Sequence, residues 1–122
     1  MKRFSAARAK AIEAIKYLYI RSGDHRPIAI WVVVVAGRVI VRSWNDKPGG
    51  WYRAFLAQPR GAIRVGETEV RVRAVPLRSA RLLDAADAAY AAKYTSPANR
   101  KYVQGFRTAK RRVHTLELVP RP

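Results

Sequence analysis

The chain has 122 residues, of which 49% are hydrophobic and 10% aromatic; that fits one compact domain with a sizeable core and excludes a wholly disordered tail. It contains no cysteine, which excludes disulfide frameworks and thiolate metal sites. Twenty-five lysines and arginines against 8 acidic residues give a net charge of +17, so the surface attracts anions, nucleic-acid backbones and phosphorylated cofactors alike, or is simply a solvated basic face.

Met1 leads into Lys2, Arg3 and an amphipathic stretch without the apolar core and cleavage site of a secretory leader, so a cytoplasmic location is expected. The longest apolar run, Ile28–Gly37, is shorter than the roughly 20 residues a membrane helix needs, and no membrane span is expected.

Ser5 reads as a helix N-cap, and Ala11, Ile12, Ile15, Leu18 and Tyr19 recur at three and four, predicting one amphipathic helix over about 6–22 that stops at Gly23 and Pro27. Ile28–Val35 and Arg38–Trp44 then read as strands of a hairpin around Ala36-Gly37. Register follows from the two-residue turn: Val35 faces Arg38, Val33 faces Ile40, and Trp31 faces Arg42. The first strand is apolar on both sides, so it needs two covers, the core on one side and a helix or a second subunit on the other. A homodimer built on Trp31 and Val33 is therefore expected.

Asn45–Gly50 reads as a loop and Trp51–Gln58 as a short helix ended by Pro59. A second hairpin joins Ala62–Val65 to Glu69–Val75 across Gly66, with Val70, Val72 and Ala74 alternating with Arg71 and Arg73. Ser79 caps a longer helix carrying Leu83, Ala86, Tyr90 and Tyr94, with Pro97 marking its end, and Thr115–Val119 is the last strand. The cationic stretch 101–113 reads as irregular or partly helical.

Catalytic signatures are sparse. His25 and His114 have no cysteine or acidic cluster beside them, so no metal site is expected. There is no nucleophile elbow, no Walker loop and no G-x-G-x-x-G. The sharpest local signal is Arg42-Ser43-Trp44, a glycine-rich loop, and Trp51-Tyr52-Arg53. Arginine forks, a serine hydroxyl and a helix start can together hold a phosphate. The aromatic residues beside them either flank a planar heterocycle or pack in the core.

These segments, with Ile30-Trp31-Val32-Val33, Asp87–Tyr94 and the closing Thr115–Arg121, resemble a small bacterial family placed with the split β-barrel flavin-binding proteins related to pyridoxamine phosphate oxidase and the deazaflavin-dependent nitroreductases. The resemblance spans nearly the whole chain and implies an α+β, mainly β fold: one split-barrel domain over 1–122 with about six antiparallel strands. It also implies a homodimer binding FMN or a deazaflavin at its interface, with small-molecule oxidoreductase chemistry. Residue by residue, it places Ser43, preceded by Arg42, and Arg53 at the cofactor phosphate, with Arg26 corresponding loosely to an arginine before the first hairpin strand. Trp44, Trp51 and Tyr52 adjoin that site, and Trp31 or Val32 stands near the ring, where flavin-binding relatives often carry lysine. The other readings open to the composition are a cofactor-free basic protein that tracks nucleic acid non-specifically and a non-catalytic small-ligand module.

Overall fold

The computed structural model describes residues 3–122. Strands β1 (Leu18–Ser22), β2 (Ile28–Ile30), β3 (Val33–Val35), β4 (Arg38–Arg42), β5 (Arg60–Val65), β6 (Thr68–Pro76) and β7 (Thr115–Pro120) form one antiparallel sheet in the order β2-β1-β5-β6-β7-β4-β3. Helices α1 (Ala6–Glu13), α2 (Trp51–Ala57), α3 (Ala80–Lys93), α4 (Arg100–Phe106) and α5 (Ala109–Arg112) pack around it. The architecture is α+β and mainly β, a half-barrel as expected, with seven strands rather than about six.

The extra strand comes from the N-terminal segment. Ser5 does cap α1, its Oγ accepting from the Arg8 amide at 3.1 Å, but the helix ends at Glu13 rather than near residue 22. Leu18, Ile20 and Ser22 point into the fold while Tyr19 is exposed, the alternation of a strand. Leu18 and Tyr19 satisfy a helical period and a strand period alike, and pairing with both β2 and β5 decides the matter.

The hairpin register is as expected, Val33 against Ile40, Val34 against Val39 and Val35 against Arg38. Ala36 and Gly37 both have positive φ, 51° and 77°, which suits the right-handed twist of a two-residue hairpin. The run Ile28–Val35 is not one strand, however. Its first part pairs with β1 and its last part with β4, at opposite edges of the sheet. Only Trp31 and Val32 lie between, so the sheet must curl until its edges nearly meet, and Trp31 does not pair with Arg42. The backbone freed at this break is satisfied from the C-terminal end of α3: the hydroxyl of Tyr94, which caps the helix, accepts from the Val32 amide at 3.0 Å, and Lys93 Nζ donates to the Val32 carbonyl at 2.8 Å.

Two cores result. Inside the curl lie Leu18, Ile20, Val39, Val41, Ile63, Val72, Leu116 and Leu118, closed by Ile12 of α1 and by Trp51, Tyr52 and Phe55 of α2. On the outer side, Val33 and Ile40 pack against Ala86 and Tyr90 of α3, Tyr94 at its C-cap, and Val103 and Phe106 of α4. The second cover of the doubly apolar strand is thus the chain's own helices. Trp31, stacked on Tyr94 at 4.0 Å and 6°, is engaged there, so this face does not call for a second subunit.

The second hairpin and the helix capped by Ser79 form as expected, with Ser79 Oγ accepting from Leu82. The cationic stretch resolves into α4 and α5 after a 3-10 turn at Pro97–Asn99. Among the described residues no helix is long and apolar enough to cross a membrane.

Candidate functional site

Arg42, Ser43 and Arg53 do not converge on one anionic site. The Arg42 side chain is fully buried on the outer face of β4, donating from Nη1 to Asp87 Oδ1 at 2.5 Å and to the Phe106 carbonyl at 2.9 Å, and from Nε to Thr115 Oγ1 at 2.7 Å. A guanidinium so enclosed is a tie between sheet and helices rather than a ligand to an incoming phosphate. Ser43 is also buried, its hydroxyl donating to the Asn45 carbonyl at 2.5 Å, so it shapes the loop. Trp51 belongs to the core, and Arg26 is exposed before β2. The turn carrying Arg26 is held to the glycine-rich loop through His25, whose Nε2 lies 3.0 Å from the Gly49 carbonyl. Trp31 and Trp44 line a separate aromatic groove on the α4 side.

Arg53 and Tyr52 do reach an open cleft, of about 570 Å³. One wall is α2, contributing Tyr52, Arg53 and Leu56. The opposite wall is Pro76, Leu77 and Arg78, where β6 runs into α3, with Leu83 on α3. Val113 and His114, just before β7, form its third side, and Asp46 of the loop its rim. Helix α2 turns here because Gly50 and Pro59 bracket a run whose Trp51, Tyr52 and Phe55 fall on one buried face, which leaves Arg53 and Leu56 outward.

The electrostatics of the cleft favour an anion. Arg53 forms an exposed ion pair with Asp46, and its hydrogen bond to that carboxylate is the largest of the effects that hold Asp46 below the ordinary range, with His114 and Lys110 adding to the field. Arg78 makes no ion pair among the described residues. Tyr52 donates to the Val113 carbonyl at 3.2 Å and stands 4.9 Å from the His114 ring. Burial, then the charge of Asp46, pushes the Tyr52 hydroxyl up, while Arg78 and Arg53 oppose the shift, so all of these groups share one field. His114 is buried, with no partner for Nδ1 among the described residues. Exposed Leu56 and Val113 give the cleft an apolar lip.

Arg78 and His114 are the site residues that sequence reasoning missed. They lie 25 and 61 positions beyond Arg53 in the chain. Nothing local marks them, since only the return of β6 and β7 to the centre of the sheet brings their ends beside α2. No group of three or more metal-ligating side chains occurs among the described residues.

The single antiparallel sheet curled into a half-barrel, with α2 at its mouth and α3 across its outer face, defines a mainly β protein of the α+β class. Within that class the chain belongs to the DUF2255 family of uncharacterized proteins conserved in bacteria, whose family model matches residues 8–118. A conserved hypothetical protein of Mycobacterium tuberculosis shares the fold with a TM-score of 0.57 at 16% identity, over 100% of this chain and 86% of that one. An FAD-binding protein of Mesorhizobium loti does so with a TM-score of 0.55 at 15% identity, over 98% of this chain and 91% of that one. At such identities the likeness carries the fold alone. No curated protein matches the chain significantly in sequence.

Proposed function

We propose that the protein binds a phosphorylated flavin-type cofactor, FMN or a deazaflavin, in the cleft between α2 and the β6–α3 junction, and uses it in small-molecule redox chemistry. The observation that carries this reading is the meeting of Arg53 and Arg78, from distant parts of the chain, at a cleft that also has an apolar lip. Its volume falls in the range of small-ligand sites. The residues fit the group: Arg78 is free of carboxylate partners among the described residues, and Arg53 is held only by an exposed pair with Asp46 that a phosphate can displace. The Mesorhizobium loti neighbour, an FAD-binding protein of similar fold, agrees with this choice.

A bound flavin supplies the electron chemistry, and the chain's own residues bind and orient it. Arg53 and Arg78 hold the phosphate, and Leu56, Leu77 and Val113 shield its apolar part from water. We propose a homodimer in which a second subunit covers the exposed Leu56 and Val113, in place of the Trp31 and Val33 face that the helices already occupy. Titrating the purified protein with FMN, followed by quenching of flavin fluorescence, tests the cofactor, and sedimentation at micromolar concentration tests the dimer. Saturable quenching and a dimer mass are expected. FMN fluorescence unchanged at millimolar protein removes the cofactor reading.

A further inference from the structure

On the α4 side of the molecule, sharing no residue with the cleft, Tyr17, Trp31, Trp44, Tyr102 and Phe106 line a groove of about 450 Å³. Tyr17 and Tyr102 are 48% and 40% exposed, and both tryptophans are partly accessible. Core packing does not account for tyrosines so placed, one preceding β1 and the other on the solvent side of α4.

The rings are held in position. Trp31 stacks on Tyr94, and Tyr102 meets both tryptophans edge-on, at 6.4 and 5.1 Å. Trp44 lies under the Arg111 guanidinium at 3.6 Å, and Arg111 Nε donates to the Trp44 carbonyl at 2.8 Å. Gly105 of α4 makes room for the Trp44 ring, because a Cβ there would overlap Trp44 Cη2 and Cζ3.

Cations lie over and beside this aromatic floor. Lys16 and Lys101 extend over the rings of Tyr17 and Tyr102, at 5.5 and 5.1 Å. Residues 95–113 contain six lysines and arginines and no acidic residue. Among the described residues, only Arg112 of these six is in an ion pair, with Asp84 and Asp87.

We propose that this groove binds single-stranded nucleic acid, its bases stacking on Tyr17, Trp31, Trp44 and Tyr102 and its phosphates running along Lys16, Lys101 and Arg111. Aromatic platforms beside a continuous cationic track are the two parts of sequence-tolerant single-strand binding. A duplex keeps its base faces stacked on one another and can use only the cations. An acidic peptide matches the charge but leaves the exposed rings without a planar partner.

The test is fluorescence anisotropy of a labelled oligothymidine with the full-length protein, against a duplex of equal length, heparin and polyglutamate as competitors. The strand should bind at least tenfold tighter than the duplex, quench tryptophan fluorescence, and outcompete heparin at equal charge. Tyr17→Ala and Tyr102→Ala, at exposed positions, should each weaken it by about 5- to 100-fold, the loss of one base–aromatic stack. Lys101→Gln should reduce the salt dependence instead. Equal affinity for strand and duplex, heparin or polyglutamate displacing the strand charge for charge, or affinity unmoved in both tyrosine variants would overturn the proposal. If either variant proves misfolded by circular dichroism, the wild-type quenching and strand-to-duplex ratio still decide it. FMN affinity should be the same in these variants as in the wild type.

Discussion

Arg42 of β4 and Asp87 of α3, 45 residues apart in the chain, meet in a buried ion pair at 2.5 Å that ties the sheet to its covering helix. Arg112 holds the other carboxylate oxygen of Asp87 at 2.7 Å, so one carboxylate serves two arginines. Removing the carboxylate strands a buried guanidinium. Asp87→Ala should therefore cost about 3–5 kcal/mol, whereas Arg42→Met, which leaves Asp87 paired with Arg112, should cost about 1–3 kcal/mol. Urea unfolding measures both; an Asp87→Ala protein as stable as the wild type would show that the pair is not a structural tie.

The Arg53–Asp46 pair gives a prediction of opposite sign for binding. Asp46 is held below the ordinary carboxylate range chiefly by its hydrogen bond to Arg53, so it remains ionised and engaged at neutral pH. Asp46→Asn frees Arg53 and removes a negative charge from the rim. Phosphate or FMN affinity should rise about two- to fivefold, the range an exposed ion pair spans. Weaker binding in this variant, measured by calorimetry, would mean that Asp46 helps the ligand rather than competes with it.

Alkaline pH should unfold the protein through its buried tyrosines. Burial raises the Tyr94 hydroxyl to about 12 and lifts Tyr90 further. Tyr94 also donates to the Lys16 carbonyl at 2.6 Å, a bond that exists only while it is protonated. The folded values exceed the unfolded one, so this stability is fully present below about pH 10 and is lost as pH rises toward 12. Tyr94→Phe should flatten that decline while losing stability at pH 7, because Val32 and Lys16 lose their partner. Tyrosinate absorbance against pH, with circular dichroism, follows both.

Much of the fold was legible because local signals agreed with the final packing. The Ala36-Gly37 turn, the alternation of β6 and the Ser79 cap each specify their element without help from elsewhere. The misread segments are those whose local signals are ambiguous. Leu18–Ser22 fits both periods, and the break at Trp31–Val32 lies inside a continuous β-branched run, visible only once Tyr94 and Lys93 take over its hydrogen bonds. The site was half legible for a similar reason. Arginine beside serine at a strand end looks like a phosphate ligand, and nothing near Arg42 in sequence reveals that Asp87, Thr115 and the Phe106 carbonyl enclose it. Arg53, on the outward face of a helix with an apolar stripe, could be recognised as available; Arg78 could not be joined to it without the sheet order.

In the proposed complex Arg53 and Arg78, not Arg42 and Ser43, receive the cofactor phosphate, and the phosphate's own contribution to binding measures this directly. Calorimetric titration with FMN and with riboflavin, in the wild type and in Arg53→Ala and Arg78→Ala, isolates that contribution from the binding of the ring. FMN should bind the wild type about 10- to 100-fold more tightly than riboflavin, and each arginine variant should lose most of this preference while its riboflavin affinity stays the same. Equal affinities for FMN and riboflavin in the wild type, or a preference that survives in both variants, would contradict it.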